Sequence, residues 1–152
     1  MKTIAKIAVS VMIAGMVFGS HASEDYIVNA GEIVKAADWK KMETITVELD
    51  EFSYDLEELV FSAGQPYKLV LKNNGEEKHY FTAPEFYKSI ATRKVQSNRD
   101  GEIKAPYFHA IELMVGGQLD LYFVPVKKGE YPVYCTIKDH RSEGMEAKLV
   151  IE

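Results

Sequence analysis

Apolar and polar residues alternate through much of this chain and predict a series of short β-strands. The clearest runs flank one loop near the C-terminus, with apolar positions at Tyr131, Val133, Cys135, Met145, Ala147, Leu149 and Ile151. A period of two is typical of strands with one buried face. We therefore expect one strand to end at the cysteine and another to begin at the methionine, with a loop between them.

Similar runs predict further strands around residues 44–50, 59–61, 67–72, 79–81, 108–115 and 119–123. Turn signals separate them, among them Asn73-Asn74-Gly75, Gly116-Gly117 and Lys127-Lys128-Gly129. Seven or eight short strands at roughly ten-residue spacing favour an all-β, antiparallel sandwich. No internal repeat or linker interrupts the pattern, so it indicates a single domain.

Two helical segments accompany the strands. Asn29 can cap a helix over residues 30–41, and Pro84 can open a short inserted helix that ends near residue 90. Trp39 falls on the first helix, where we expect it to pack rather than to bind a ligand. Residues 96–101 are polar and predict a surface loop.

The first 22 residues resemble a cleavable export signal rather than part of the fold. Lys2 and Lys6 precede an apolar run over residues 7–18, and Ser20-His21-Ala22 offers small residues at a cleavage site. The alternatives are a membrane anchor or a buried N-terminal helix, but the apolar run is short for a membrane span. We expect a signal peptide at 1–22, a domain at 23–152 and a periplasmic protein that does not insert into the membrane after cleavage.

Charge and length narrow the partners of this domain. Without Lys2 and Lys6 the chain has 16 basic and 23 acidic residues, a net charge of −7. This acidity argues against nucleic acid and anionic membranes, and it is compatible with a basic protein partner. About 130 residues suffice for a core of its own, and we expect a monomer.

The loop between the last two strands carries the candidate chemistry. Cys135 is the only cysteine of the chain, and His140 and Met145 follow at intervals of five. An unpaired thiol in an exported protein is a liability unless something occupies it, and a metal is one such occupant. Thiolate, imidazole and thioether are soft ligands that favour copper.

A mononuclear blue-copper site needs a second histidine. His79 begins an extended run after a turn and shares a face with Phe81, so we expect its side chain to point inward. His109 is the competitor, because its neighbours do not decide which way it points. We favour His79.

These residues carry a resemblance to a known family. Asn73-Asn74-Gly75 followed by His79, and Tyr134-Cys135-Thr136-Ile137 leading to His140 and Met145, resemble the cupredoxins. The Cys-x4-His-x4-Met spacing matches rusticyanin-like members, and Cys-x4-His is similar to azurin. The resemblance covers about residues 43–152.

The resemblance implies a Greek-key β-sandwich with a type 1 copper at one end. His79 and His140 would supply imidazole nitrogens, Cys135 a thiolate and Met145 a long axial bond. Two positions depart from the family pattern. Lys138-Asp139 replaces the frequent Pro-Gly, and we expect Asp139 to adopt unusual backbone angles and to place a carboxylate beside His140. Tyr80 stands where azurin relatives have asparagine, so the sequence does not decide whether an amide N–H donates a hydrogen bond to the thiolate.

Three functions follow from such a site. The first is a soluble exported carrier of one electron, with a redox protein such as a cytochrome or an oxidase as partner and the edge of His140 as the exit. The second is copper resistance, storage or delivery, with a copper chaperone as partner. The third, an enzyme, would need further histidine clusters that the chain lacks, so we expect no catalysis.

Other polar and sulfur residues have simpler interpretations. We favour a solvated acidic surface over docking charges for Glu76, Glu77, Asp120 and Glu143. We expect Met42 and Met114 to be core side chains rather than further copper ligands.

Overall fold

The computed structural model describes residues 26–97 and 101–152. The predicted signal peptide lies outside the described residues. Within the described residues, two α-helices, a 3₁₀ turn and eleven strands follow in chain order. They are α1 Ala30–Ala36, the 3₁₀ turn Trp39–Lys41, β1 Glu43–Asp50, β2 Ser53–Tyr54, β3 Glu58–Phe61, β4 Tyr67–Asn73, β5 His79–Thr82, α2 Pro84–Lys88, β6 Ile90–Ser97, β7 Gly101–Ile103, β8 Ala110–Leu113, β9 Gln118–Pro125, β10 Gly129–Tyr134 and β11 Glu146–Ile151.

The strands form two sheets, which confirms the predicted all-β sandwich. The first sheet has the order β2-β1-β4-β9-β6-β7, and the second has the order β3-β11-β10-β5-β8. Most pairings are antiparallel, but β1 pairs with β4 and β3 pairs with β11 in parallel. The first parallel pair arises because the chain leaves β1 through β2, crosses to the second sheet as β3 and returns to the first sheet as β4. Both sheets are therefore mixed.

Aromatic side chains from both sheets and from α2 fill part of the core. Phe61, Tyr67, Phe86 and Phe123 have ring centroids 5.1–5.9 Å apart in most of their pairings, largely edge to face. Such pairs add to the stabilisation that burial itself provides. Phe86 belongs to α2, so the inserted helical segment is part of the core.

The first helix is shorter than the sequence predicts. The first helix ends at Ala36, because Ala37 is already extended, and residues 39–41 form a separate 3₁₀ turn. Trp39 packs there, with its Nε1 donating to the carbonyl of Val34 at 2.8 Å and the Arg93 guanidinium over its ring. No helix in the described residues is long and apolar enough to cross a membrane.

Two predictions about residues 96–114 need correction. The expected surface loop at 96–101 is in part a hairpin, because β6 continues to Ser97 and pairs with β7. Met114 is not a core residue: β8 ends at Leu113, the chain turns through Gly116 at φ 70°, and Met114 is 64% exposed. Met42 is partly buried.

Three turns meet at one end of the sandwich. The β10–β11 loop is closed by the N–H of Cys135, which donates to the carbonyl of Met145 at 3.1 Å. The β4–β5 turn lies beside the β1–β2 turn, because β1 and β4 are parallel and Asn74 N–H donates to the carbonyl of Leu49 at 2.9 Å. This end of the fold holds the candidate site.

Candidate metal centre

A thiol and two imidazoles meet where these turns come together. His79 begins β5, Cys135 follows β10 and His140 lies in the β10–β11 loop. One potential ligand atom of each lies within 4.8 Å of the other two, and all three side chains are buried. It is the one such cluster in the described parts of the chain. His109 is exposed and does not belong to it.

Backbone hydrogen bonds fold the loop from Cys135 to Met145 into a compact shape. His140 N–H donates to the carbonyl of Ile137 at 3.2 Å, and Met145 N–H donates to the carbonyl of His140 at 3.0 Å. Asp139 has a φ of 69° and Gly144 a φ of 114°, so the unusual angles expected at Asp139 are observed. Met145 is fully buried at the end of this loop.

The His79 ring has one nitrogen occupied and one free. Its Nε2 lies 3.1 Å from Oε1 of Glu51, and its Nδ1 is buried without a hydrogen-bond partner among the described residues. A buried polar atom without a partner is rare and calls for an explanation. A neutral imidazole that donates from Nε2 to Glu51 leaves a lone pair on Nδ1. That lone pair is available to a metal.

The Glu51 carboxylate is itself fixed by backbone hydrogen bonds. Its Oε1 also accepts hydrogen bonds from the backbone N–H groups of Glu76 and Glu77, both at 2.9 Å. The amide of Glu77 is the main cause, followed by that of Glu76, of a pKa lowered to about 2. The carboxylate is therefore ionised at neutral pH.

The His140 ring repeats this arrangement. Its Nδ1 lies 3.6 Å from Sγ of Cys135, and its Nε2 lies 3.2 Å from Oε2 of Glu77. The Phe52 ring meets the imidazole edge to face, with centroids 4.7 Å apart. His140 is consequently only 4% exposed. The imidazole edge that we expected at the surface is covered by Glu77 and Phe52.

The sulfur of Cys135 accepts a hydrogen bond from the backbone N–H of Tyr80 at 3.4 Å. The sequence left this contact open, because Tyr80 replaces an asparagine of azurin relatives. The donor is a main-chain group, so the tyrosine side chain does not prevent it. This N–H is therefore directed at one of the three candidate ligand atoms.

Asn73 organises the turn that leads to His79. Its Nδ2 donates to the carbonyls of Glu77 and Leu113 at 2.7 and 3.1 Å, and its Oδ1 accepts from the N–H of Gly75 at 2.9 Å. Asn73 is buried, so these bonds fix the turn in a protected environment.

The sequence pattern does not reveal the two glutamates that bond the histidines. It favours a solvated surface for Glu77 and predicts that the carboxylate beside His140 belongs to Asp139. The structure gives that place to Glu77. Asp120, another residue of that surface group, forms an ion pair with Lys68 at 2.7 Å. The one signal in the sequence is that Glu77 stands two residues before His79; nothing local points to Glu51.

The donor set fits copper. One sulfur and two imidazole nitrogens are the equatorial ligands of blue-copper sites, in which a weak thioether completes the set. Both imidazoles have Nε2 bonded to a carboxylate, an arrangement that commonly orients metal-binding histidines. The orphaned Nδ1 of His79 is the observation that most directly supports a metal.

Comparison with solved structures gives neighbours at low sequence identity. An auracyanin from Roseiflexus castenholzii, in a dithionite-reduced state, has a TM-score of 0.50 and 19% identity over 76% of this chain and 98% of its own. A multicopper oxidase from Campylobacter jejuni has a TM-score of 0.52 and 16% identity over 72% of this chain. A copper nitrite reductase from Nitrosomonas europaea has a TM-score of 0.56 and 10% identity, also over 72% of this chain.

The likeness covers different shares of these proteins. The chain spans 30% of the oxidase and 48% of the nitrite reductase, so it corresponds to a part of each. At these identities the likeness concerns the fold alone. No protein-family model matches the chain, and no curated protein sequence matches it.

Proposed function

This chain has the cupredoxin fold, and from that premise we propose that it binds one copper ion in a type 1 site and carries single electrons. The ligands in this proposal are His79, Cys135, His140 and Met145. One observation carries it: a buried thiol and two imidazoles converge, and Nδ1 of His79 is buried without a hydrogen-bond partner among the residues that the structure describes.

When bound, copper would supply a one-electron couple between its two oxidation states. The residues of this chain prepare the site for it. Glu51 and Glu77 hold the imidazoles, and the Tyr80 amide directs a hydrogen bond at the Cys135 sulfur. A trigonal set of two nitrogens and one sulfur suits both oxidation states, so ligands that stay in place favour fast transfer.

Met145 is the proposed fourth ligand. It is fully buried, and its backbone bonds to both Cys135 and His140. A weak axial thioether is the usual complement of this equatorial set. Replacing Met145 by leucine tests this role, because leucine preserves the apolar volume and removes the sulfur.

Burial favours a carrier over a protein that delivers copper. The three ligands of the cluster are buried, and each imidazole is tied to a glutamate, so exchange of ligands with another protein would require these contacts to break. The exposed groups in contact with His140 are Phe52 and Glu77, and we propose that a redox protein docks there. Without residues 1–22 the chain has a net charge of −7, which suits a partner with a basic docking face.

Export completes the proposal. The basic and apolar leader at 1–22 would direct the chain to the periplasm and then be removed. The mass of the protein recovered from a periplasmic fraction tests this step, with a mature N-terminus near Ser23 expected and an uncleaved chain as the contrary result.

Voltammetry of the copper-loaded protein separates the carrier from the copper handler. A reversible one-electron couple with fast self-exchange is expected. An irreversible couple, together with rapid loss of copper to a chelator, would favour storage or delivery instead.

A further inference from the structure

We propose that Glu51 and Glu77 are positioning residues of the metal centre, which fix both histidines in the tautomer that presents Nδ1. The inference rests on the proposed function for its metal, but the contacts that support it are hydrogen bonds between residues of this chain. Glu51 bonds Nε2 of His79 at 3.1 Å, and Glu77 bonds Nε2 of His140 at 3.2 Å. In both histidines the ring nitrogen that contacts a carboxylate is Nε2, and the other ring nitrogen is Nδ1.

The tautomer follows from the acceptors. A carboxylate oxygen is a hydrogen-bond acceptor, so the contacts assign the proton of each ring to Nε2. Each Nδ1 then bears a lone pair, and in His140 this atom faces the Cys135 sulfur. A negative charge bonded to the far side of an imidazole also makes the ring a stronger donor to a metal.

The turn that leads to His79 is built around the Glu51 carboxylate. Oε1 of Glu51 accepts from two successive amides, those of Glu76 and Glu77, besides contacting His79. Asn73 holds the same turn from the other side through Gly75 and Glu77. The carboxylate thus links the β1–β2 turn to the first histidine.

Gly75 is a second, independent sign of this arrangement. A Cβ at residue 75 would lie 2.8 Å from Cδ and 2.9 Å from Oε2 of Glu51, closer than real Cβ atoms approach. The φ of Gly75 is not in the left-handed region, so the backbone would accept alanine. The requirement for glycine therefore comes from the Glu51 carboxylate, and alanine would displace it.

The two glutamates differ in exposure, which sets their expected weight. The Glu51 side chain is 25% exposed and has three hydrogen bonds to its Oε1, whereas the Glu77 side chain is 60% exposed and contacts His140 through one oxygen. Water can replace Glu77 more readily than Glu51. We expect the loss of Glu51 to have the larger effect.

The first test needs no copper. Nitrogen-15 NMR of the metal-free protein reports which ring nitrogen of each histidine carries the proton. We expect the Nε2–H form at His79 and His140 at neutral pH. A predominant Nδ1–H form at His79 would overturn the proposal, whatever the protein binds.

The second test compares Cu(II) affinity, by chelator competition, and reduction potential. Glu51→Gln keeps an acceptor oxygen and removes the charge, and we expect about 10- to 100-fold weaker Cu(II) binding with a more positive potential. Glu77→Gln should act in the same direction with a smaller effect. Glu76→Gln is the matched control, because it removes an equal charge from the neighbouring exposed residue while its backbone bond to Glu51 remains.

Gly75→Ala tests the same contact without altering Glu51, and it should reproduce the effect of Glu51→Gln. Thermal unfolding of each metal-free variant identifies any that fails to fold. If wild type binds Cu(II) and the Glu51, Gly75 and Glu76 variants are indistinguishable from one another, the positioning role is wrong and the copper site stands. If wild type binds no Cu(II), the proposed function fails, and the NMR result decides the tautomer assignment by itself.

Discussion

The backbone N–H of Tyr80 lies 3.4 Å from the sulfur of Cys135, although 55 residues separate them in the sequence. The contact joins β5, which begins with the first histidine, to the residue that directly follows β10. Because the donor belongs to the main chain, every residue except proline can supply it at position 80.

Tyr80→Asn should therefore leave the thiolate-to-copper absorption bands of the Cu(II) protein in place. The tyrosine side chain bonds Glu112 at the surface, so the loss of this bond should have little effect on stability. Tyr80→Pro removes the N–H and should shift or abolish the bands. Equal spectral shifts in the two variants would show that the side chain, rather than the amide, acts on the sulfur.

Asp139 holds a backbone conformation that glycine adopts at lower cost. Its φ of 69° is in the left-handed region, and its side chain is exposed. Asp139→Gly should be neutral or stabilise the metal-free protein by up to about 1 kcal/mol, whereas Asp139→Ala should destabilise it by about 1 kcal/mol. Urea unfolding of both variants measures the difference, and an alanine variant as stable as the glycine variant would contradict it.

Asn73→Ala should lower both stability and copper affinity. The change leaves the N–H of Gly75 and the carbonyls of Glu77 and Leu113 without their partner, and an unsatisfied buried group costs about 1–3 kcal/mol. The turn that presents Glu76 and Glu77 to Glu51 would loosen as well.

Asn73→Asp provides the control for this prediction. Aspartate keeps an acceptor for Gly75 but offers the two carbonyls no donor when it is ionised. Unfolding and Cu(II) competition should place this variant below wild type in both quantities, because the two carbonyls lose their donor. Wild-type values in both Asn73 variants would mean that the turn forms without this side chain.

The sequence alone predicts the candidate ligands of the site, but it does not predict the residues that hold them in place. Alternation around Cys135 and Met145 predicts two strands and a closed loop, and His79 follows from its place beside Phe81 on an inward face. Glu51 comes from a tight turn 28 residues before His79, and the pairing of β1 with β4 brings the two together. An acidic residue in an acidic segment has no pattern that reveals such a contact.

The burial of His140 could not be predicted from the sequence for the same reason. The sequence places His140 in the loop, but the covering residues, Phe52 and Glu77, belong to two other turns. Periodicity describes the neighbours of a residue along one strand. It does not describe how turns from different strands pack over a site.

Alkaline pH should destabilise the fold through buried tyrosines. Burial raises the pKa of Tyr87 well above its usual range, and its hydroxyl donates to the carbonyl of Phe81 at 2.9 Å. A raised folded-state pKa means that the stabilisation is complete below the unfolded-state pKa of about 10 and is lost as pH rises above it. Each proton so retained contributes a slope of about 1.4 kcal/mol per pH unit.

Tyr87→Phe isolates this contribution. At neutral pH it should cost about 1 kcal/mol, because the Phe81 carbonyl loses its donor. Above pH 10 the variant should lose stability less steeply than wild type, so that the two curves converge. Parallel curves of unfolding free energy against pH would show that Tyr87 ionises as easily in the folded state as in the unfolded one.

The proposed function depends most on the binding of one copper ion by His79, Cys135 and His140 together. Visible absorption of the mature protein titrated with Cu(II) tests it directly, beside His79→Ala, Cys135→Ser and His109→Ala. We expect strong thiolate-to-copper bands that saturate at one equivalent. Cys135→Ser should abolish these bands, and His79→Ala should abolish or strongly alter them. His109→Ala should leave them unchanged, because His109 is exposed and lies outside the cluster. A colourless wild type with its thiol shown to be free and reduced, or bands that depend on His109 rather than His79, would contradict the copper site.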